Sequence, residues 1–279
     1  MNNVDKLLQG SIDMHVHHGP DAGEILRPRL DALQGARQAR EAGMKAIVLK
    51  CHECPTAGIA YIVNQVVPEV FTFGSICLNR EVGGLNPGAL EYSAKLGAKV
   101  VWMPTSSSRY HIEGSADGIT ILDSDGKLLP VVHEILDIID KYQMVLATGH
   151  LSVEEIFTLV DEARSKGLLK ILITHPLGAM RVPYFSLDEQ CRVAEKGAFL
   201  EYCFNGVIEG WFEPVSIVET VKTVSAEHCI LSTDFGQDHN PAPTEGMRVA
   251  IAYMLRYGLT ENEVELMVKV NPAKLLGLD

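Results

Sequence analysis

Residues 11–18 read SIDMHVHH, followed by Gly19-Pro20. The run reads as a β-strand, and with a side-chain period of two His15 and His17 point to one face. What that face is depends on the other runs along the chain. Strands are expected at residues 45–52 (KAIVLKCH), 70–79 (VFTFGSICLN), 98–105 (AKVVWMPT), 144–150 (MVLATGH), 169–176 (LKILITHP), 198–205 (AFLEYCFN) and 228–236 (HCILSTDFG). Amphipathic stretches between them predict helices at 29–42, 57–67, 87–96, 130–142, 153–166, 187–196 and 214–224. Several stop at a glycine suited to a left-handed C-cap: Gly43, Gly97, Gly167 and Gly197.

Near-continuous apolar strands need cover on both faces, as in a parallel sheet. Eight such strands, each followed by a helical stretch, favour a closed (β/α)8 TIM barrel over an open doubly wound sheet. No linker or composition break divides residues 1–279, so one α/β domain is expected. One irregular segment, residues 106–129, interrupts the series after the fourth strand. It opens Ser-Ser-Ser-Arg-Tyr-His, and its second half reads as a hairpin of 119–122 and 127–129 around Ser124-Asp125-Gly126. In a barrel it sits at the C-terminal face as a lid-like insert, making Arg109, Tyr110 and His111 substrate-contact candidates; the alternative is a solvated loop.

The 279 residues are 47% apolar and 22% charged, which excludes disorder and a small stapled scaffold. A net charge of −12 offers no basic field for nucleic acid. No run approaches the roughly 18 apolar residues of a membrane span. No signal-like opening is seen, and the six cysteines are scattered through apolar runs, so a cytoplasmic protein with buried thiols is expected. Its partner is expected to be a small-molecule substrate, with self-association open.

Polar residues fall at the carboxyl ends of otherwise apolar strands: His15 and His17 on the first, His150 on the fifth, His175 on the sixth and Asp234 on the eighth. In a barrel those ends converge on one mouth. Four imidazoles and a carboxylate form a ligand set suited to a divalent metal, zinc first, with manganese, iron or nickel as alternatives. A lone histidine at a strand end is usually structural; five such residues on four strands are not easily accidental.

The motifs DMHVHHGP, TGH, THP and STDFG, in this strand order, resemble the amidohydrolase superfamily, and the closing Asn271-Pro-Ala-Lys-Leu-Leu-Gly-Leu resembles its amidohydrolase-related branch. The resemblance spans the chain and implies a metal-dependent barrel, without fixing the substrate. Binuclear members take a bridging carboxylated Lys or Glu from strand four, which here ends AKVVWMPT and offers neither. Lys50, with His52 on the same face of strand two, is the substitute: carboxylated by CO₂, it would bridge two ions. The rival is one ion held by His15, His17, His150 and Asp234, with His175 as base or electrophile.

Arg80, after strand three, is a candidate grip for a substrate carboxylate or phosphate. Cys51-x-x-Cys54 lacks a second pair to complete a zinc site, and Pro55 follows where a thioredoxin motif would open a helix. Asn79, Thr105, Glu201, Asn205, Asp238, His239 and His18 rank lower, as loop or cap residues; His133 and His228 read as structural. The chemistry expected is hydrolysis of a small amide, ester, lactone or phosphoester. Asp234 acts as ligand and general base, and His175 as second ligand or oxyanion stabiliser. Nonoxidative decarboxylation at a mononuclear site, supported by Arg80, is the alternative; a catalytically silent metal-binding barrel is the third.

Overall fold

The computed structural model describes residues 2–20, 27–179 and 181–278. Strands β1 (Ile12–Val16), β2 (Ala46–Leu49) and β3 (Phe71–Phe73) pair in parallel. Strands β4 (Ser75–Cys77), β5 (Val100–Trp102), β6 (Val145–Ala147) and β7 (Ile171–Thr174) continue the parallel series. After an antiparallel hairpin of β8 (Leu177–Ala179) and β9 (Val182–Tyr184), β10 (Phe199–Cys203) pairs with β7, and β11 (Cys229–Ser232) with β10. The expected third strand is split into β3 and β4. A Cβ on Gly74 would stand 2.3 Å from the Cα of Ala57, so the chain bends between its two pairings where the next helix begins. Counting β3 and β4 as one stave gives the expected eight.

Helices α1 (Asn3–Leu8), α2 (Ala32–Glu41), α3 (Ala57–Val66), α4 (Pro87–Lys95), α5 (Pro130–Tyr142), α6 (Val153–Ser165) and α7 (Leu187–Glu195) lie between strands or before the first. The remainder are α8 (Asn205–Ile208), α9 (Pro214–Val224), α10 (Pro243–Arg256), α11 (Glu261–Glu265) and α12 (Asn271–Leu276). Side chains fix several starts: Asp31 with Gln34, Ser152 with Glu155 and Ser186 with Glu189 form reciprocal capping boxes. The helix expected from residue 29 accordingly begins only after Asp31. No helix among the described residues is long and apolar enough to cross a membrane.

Two apolar layers follow. Inside the barrel, Ile12, Met14, Val48, Trp102, Ala147, Leu172 and Ile230 pack together, and α12 adds Leu275 and Leu276. The larger layer, with Ile47, Leu49, Val101, Leu146 and Leu200, lies between strands and helices. Ile12 and Met14 point inward, so strict alternation would turn His15 and His17 outward. The β1–β2 register shifts between Asp13 and Val16, and this irregularity brings both imidazoles inside.

The barrel closes where β1 meets the end of β11. Val16 bridges Phe235 in parallel, His17 N–H donates to the Phe235 carbonyl, and Asp234 N–H to that of His15. Asp13 is fully buried and accepts hydrogen bonds from the Thr233 N–H (3.1 Å), the Thr233 hydroxyl (2.5 Å) and the His15 N–H (3.2 Å). Burial pushes its carboxyl up to about 7, against the pull of the Thr233 bonds. Thr233→Val keeps the shape and removes the hydroxyl. It is expected to lower the unfolding free energy by about 1–3 kcal/mol in a denaturant titration.

Candidate metal centre

Two of the residues delivering polar groups to the mouth hold left-handed backbone: His175 (φ 54°), just after β7, and Asp234 (φ 55°), just after β11. That conformation is costly outside glycine and concentrates where function over-determines it. Gly236 is needed for a different reason. Its φ is 147°, and a Cβ there would stand 1.7 Å from the His17 carbonyl oxygen, so the β1–β11 seam admits no side chain at this point.

The seam sets the centre's geometry. His15 Nε2 and His17 Nε2 lie 3.0 and 3.1 Å from Asp234 Oδ1, and His175 Nε2 lies 3.6 Å from Oδ2. Asn205 Nδ2 donates to Oδ2 at 3.4 Å, and Gln237 Nε2 to the Asp234 carbonyl at 2.9 Å. On its far side, His15 Nδ1 stands 3.4 Å from Glu201 Oε2, while the other Glu201 oxygen accepts from the Ser232 hydroxyl. Glu201 thereby favours a proton on Nδ1, the tautomer in which Nε2 is available to ligate. Lys50 Nζ reaches the same Nε2 at 2.9 Å and lies 5.2 Å over the Trp102 ring.

The imidazoles form a connected wall. His17 stacks on His52, His150 neighbours both His52 and His175, and His111 stacks on His150 at 4.9 Å. Burial pushes His17 down, His52 and His150 well down, and His175 to about 4. These rings are therefore neutral near pH 7, the form that ligates metals. His15 differs: burial opposes its cation, but the Asp234 and Glu201 carboxylates hold its pKa above the usual value. Asp234 is held well below the carboxylate range by His15, His17 and His175, despite burial.

Among the described residues two groups of side chains could hold a metal ion, His15–His17–Asp234 and His15–His175–Cys203, each with ligand atoms within 4.8 Å of one another. Ligand atoms about 2.0–2.1 Å from a tetrahedral zinc stand about 3.4 Å apart, so the first group needs only a small expansion. His150 Nε2 is buried with no hydrogen-bond partner, a further lone pair suited to the same use. The donor set fits a divalent cation.

A cavity of about 330 Å³ opens above these atoms, lined by His17, Lys50, His52, His111, His150, His175 and Asp234, with Arg181, Trp211 and His239 in its wall. Sequence reasoning missed Arg181, because it is carried by the β8–β9 hairpin, a feature with no signal strong enough to separate it from the strand before it. Arg80 does not line this cavity. β4 ends at Cys77, so by residue 80 the chain has turned into a short exposed helix, and the guanidinium donates to the Asp117 carbonyl in the insert. Of the insert's three candidates, His111 lines the cavity. Arg109 and Tyr110 line a separate cleft of about 1040 Å³, with Glu154 and Arg181. The expected hairpin is reduced to one bridge, Leu122 to Leu128. His52 meets the Thr105 hydroxyl at 2.8 Å, and Asn79 donates to the same oxygen at 2.6 Å. Cys51 and Cys54 sulfurs lie 3.4 Å apart without a disulfide between them.

Residues 10–201 match the family of unknown function DUF6282, and the chain belongs to that family. Among curated proteins nothing matches it. An amidohydrolase from Pseudomonas aeruginosa is similar in structure, with TM-score 0.64 and 13% identity, covering 98% of each chain. An organophosphorus hydrolase from Deinococcus radiodurans gives 0.62 at 16% identity, covering 98% of this chain and 94% of the other. A 2,6-dihydroxybenzoate decarboxylase from Rhizobium gives 0.58 at 16%, covering 97% and 99%. At such identities the likeness is one of fold: the chain has the barrel of amidohydrolase-superfamily structures from end to end.

Gly236→Ala tests the seam. It is expected to disrupt His17 and Asp234 together, lowering the melting temperature and weakening binding of added zinc, as read by thermal unfolding and chelator competition. An unchanged melting curve with unchanged zinc binding would refute the steric argument.

Proposed function

We propose that this chain is a metal-dependent hydrolase of a small amide, ester, lactone or phosphoester. The observation that carries the reading is the convergence of His15 Nε2 and His17 Nε2 on one oxygen of an anionic Asp234, beneath a cavity of substrate size. His15, His17, Asp234 and His150 would hold the ion, with His175 as a further ligand or as the group facing the substrate. A divalent cation there, zinc first, supplies a water acidified toward a pKa of about 7 and a charge that polarises the substrate's reacting oxygen.

The chain's own groups do the rest. Asp234 Oδ2, the oxygen turned toward His175 and Asn205, takes the proton of the attacking water and returns it to the leaving group. Neutral His175 donates a hydrogen bond to the developing oxyanion. Glu201 keeps His15 in the ligating tautomer. Trp211 and the β8–β9 hairpin wall the cavity and limit water.

Lys50 divides this reading in two. Addition of CO₂ to its unprotonated Nζ, with loss of one proton, would give a carbamate able to ligate two ions; without it the residues present would hold one. Nonoxidative decarboxylation is the second reading. Arg80 lies outside the cavity, so its support passes to Arg181, the guanidinium in the cavity wall.

Elemental mass spectrometry on protein purified without added metal is expected to find one or two ions per chain. No metal even after reconstitution would refute the reading. Asp234→Asn is expected to lower turnover on an ester, lactone and phosphoester panel by roughly 10²–10⁴-fold. Lys50→Ala is expected to cut occupancy from two ions to one if the lysine bridges; full occupancy and activity would exclude the carbamate.

A further inference from the structure

We infer that His111 and Ser108 of the insert form a clamp on His150, with His111 the positioning residue that turns the Nε2 lone pair of His150 into the metal centre. The inference rests on the metal-centre reading above and adds to it a role for a segment otherwise read as a cover.

The clamp has two jaws. The Ser108 hydroxyl donates to the His150 carbonyl at 2.7 Å, and Ser108 Oγ accepts the His111 backbone N–H at 3.0 Å. The His111 ring stacks on that of His150 with 24° between planes, and the two Nδ1 atoms lie 2.9 Å apart. One insert turn, Ser108 to His111, thus holds both the backbone and the ring of His150. The backbone has little freedom to move. His150 N–H donates to the Pro104 carbonyl, and at Gly149 (φ 62°) a Cβ would stand 2.2 Å from the Met103 carbonyl oxygen.

Two Nδ1 atoms 2.9 Å apart share one proton, and its owner decides what His150 can do. The metal-centre reading has His150 ligating through Nε2, so that nitrogen carries no proton. A neutral imidazole has one N–H. His111 therefore accepts at Nδ1, and His150 donates from its own. What remains on His150 is the Nε2 lone pair, buried and without a protein partner. His111 Nδ1 does for this ligand what Glu201 does for His15. The insert also meets the β8–β9 hairpin, with Arg181 Nε 3.6 Å from Glu113 Oε1.

The test separates the proton acceptor from packing. His111→Phe keeps a stacked ring and removes the acceptor; His111→Asn gives up the ring but leaves an oxygen near the place of Nδ1. Zinc affinity is read by chelator competition, and the ligand field by the visible absorption of the cobalt-substituted protein. His111→Phe is expected to weaken zinc binding about 10–100-fold and change the cobalt spectrum, and His111→Asn to recover most of both. Thermal unfolding of the metal-free forms checks that each variant folds. If His111→Phe binds zinc as the unsubstituted protein does, or His111→Asn is as weak as His111→Phe, the inference is overturned while the metal centre stands. If the unsubstituted chain takes up no zinc, both fall together.

Discussion

Asp13 gathers three hydrogen bonds, two from Thr233 and one from the His15 N–H, at the seam where the first and last strands of the barrel meet. The bonds have two consequences. They close the barrel, since the β1–β11 contact otherwise consists of one bridge and a few backbone bonds past the end of β11. They also fix the local course of β1, whose register shifts at this point, and so decide which way His15 and His17 face. Asp234 belongs to the same seam, one residue beyond Thr233, with its backbone N–H on the His15 carbonyl. Barrel closure and the placing of the proposed ligands are therefore one structural event. The buried carboxyl, the left-handed φ of Asp234 and the side-chain-free approach at Gly236 are costs the seam carries for it.

Burial then sets the chemistry. Taking imidazoles out of water penalises their cations, so His17, His52, His150 and His175 are kept neutral with lone pairs available. A carboxylate in the same environment would be pushed toward its acid form. Asp234 escapes because three histidines face it. The result is an anion and several neutral donors in a low-dielectric pocket, where attraction for a divalent cation is strong. Glu201 and His111 each stand at the Nδ1 side of a neighbouring histidine, 3.4 Å from His15 and 2.9 Å from His150.

The fold was legible because its signal is repeated: eight apolar runs in series, each followed by an amphipathic stretch, tolerate local misreading. Residues 130–142 and 214–224 form helices with the predicted bounds, since Pro at the start and a clear apolar stripe mark both. The convergence of His15, His17, His150, His175 and Asp234 followed from strand order alone. What could not be read lies where the backbone leaves its regular period. The shift in β1 reverses the face that Ile12 and Met14 would predict. The β8–β9 hairpin brings in Arg181 from a stretch that reads as loop. Arg80 was misplaced because its strand ends at Cys77, two residues before the expected end at Asn79. The His111 contact depends on a turn geometry for which the Ser-Ser-Ser-Arg-Tyr-His composition gives no rule.

Lys50 shows how charge links two properties that the fold leaves open. Its Nζ is buried against His15 Nε2, with Asp234 and Glu201 as the carboxylates on that same ring. As an ammonium it repels an ion at that nitrogen; as a carbamate it attracts one. With the imidazoles neutral, an ammonium beside one divalent ion and a carbamate beside two leave the cluster with the same net charge, one positive. The mixed cases do not: an ammonium with two ions leaves three positive charges, and a carbamate with one ion leaves one negative. In a buried pocket the three positive charges of the first mixed case are expensive. On this charge count a second ion would call for the carbamate, and an unmodified Lys50 for a single ion.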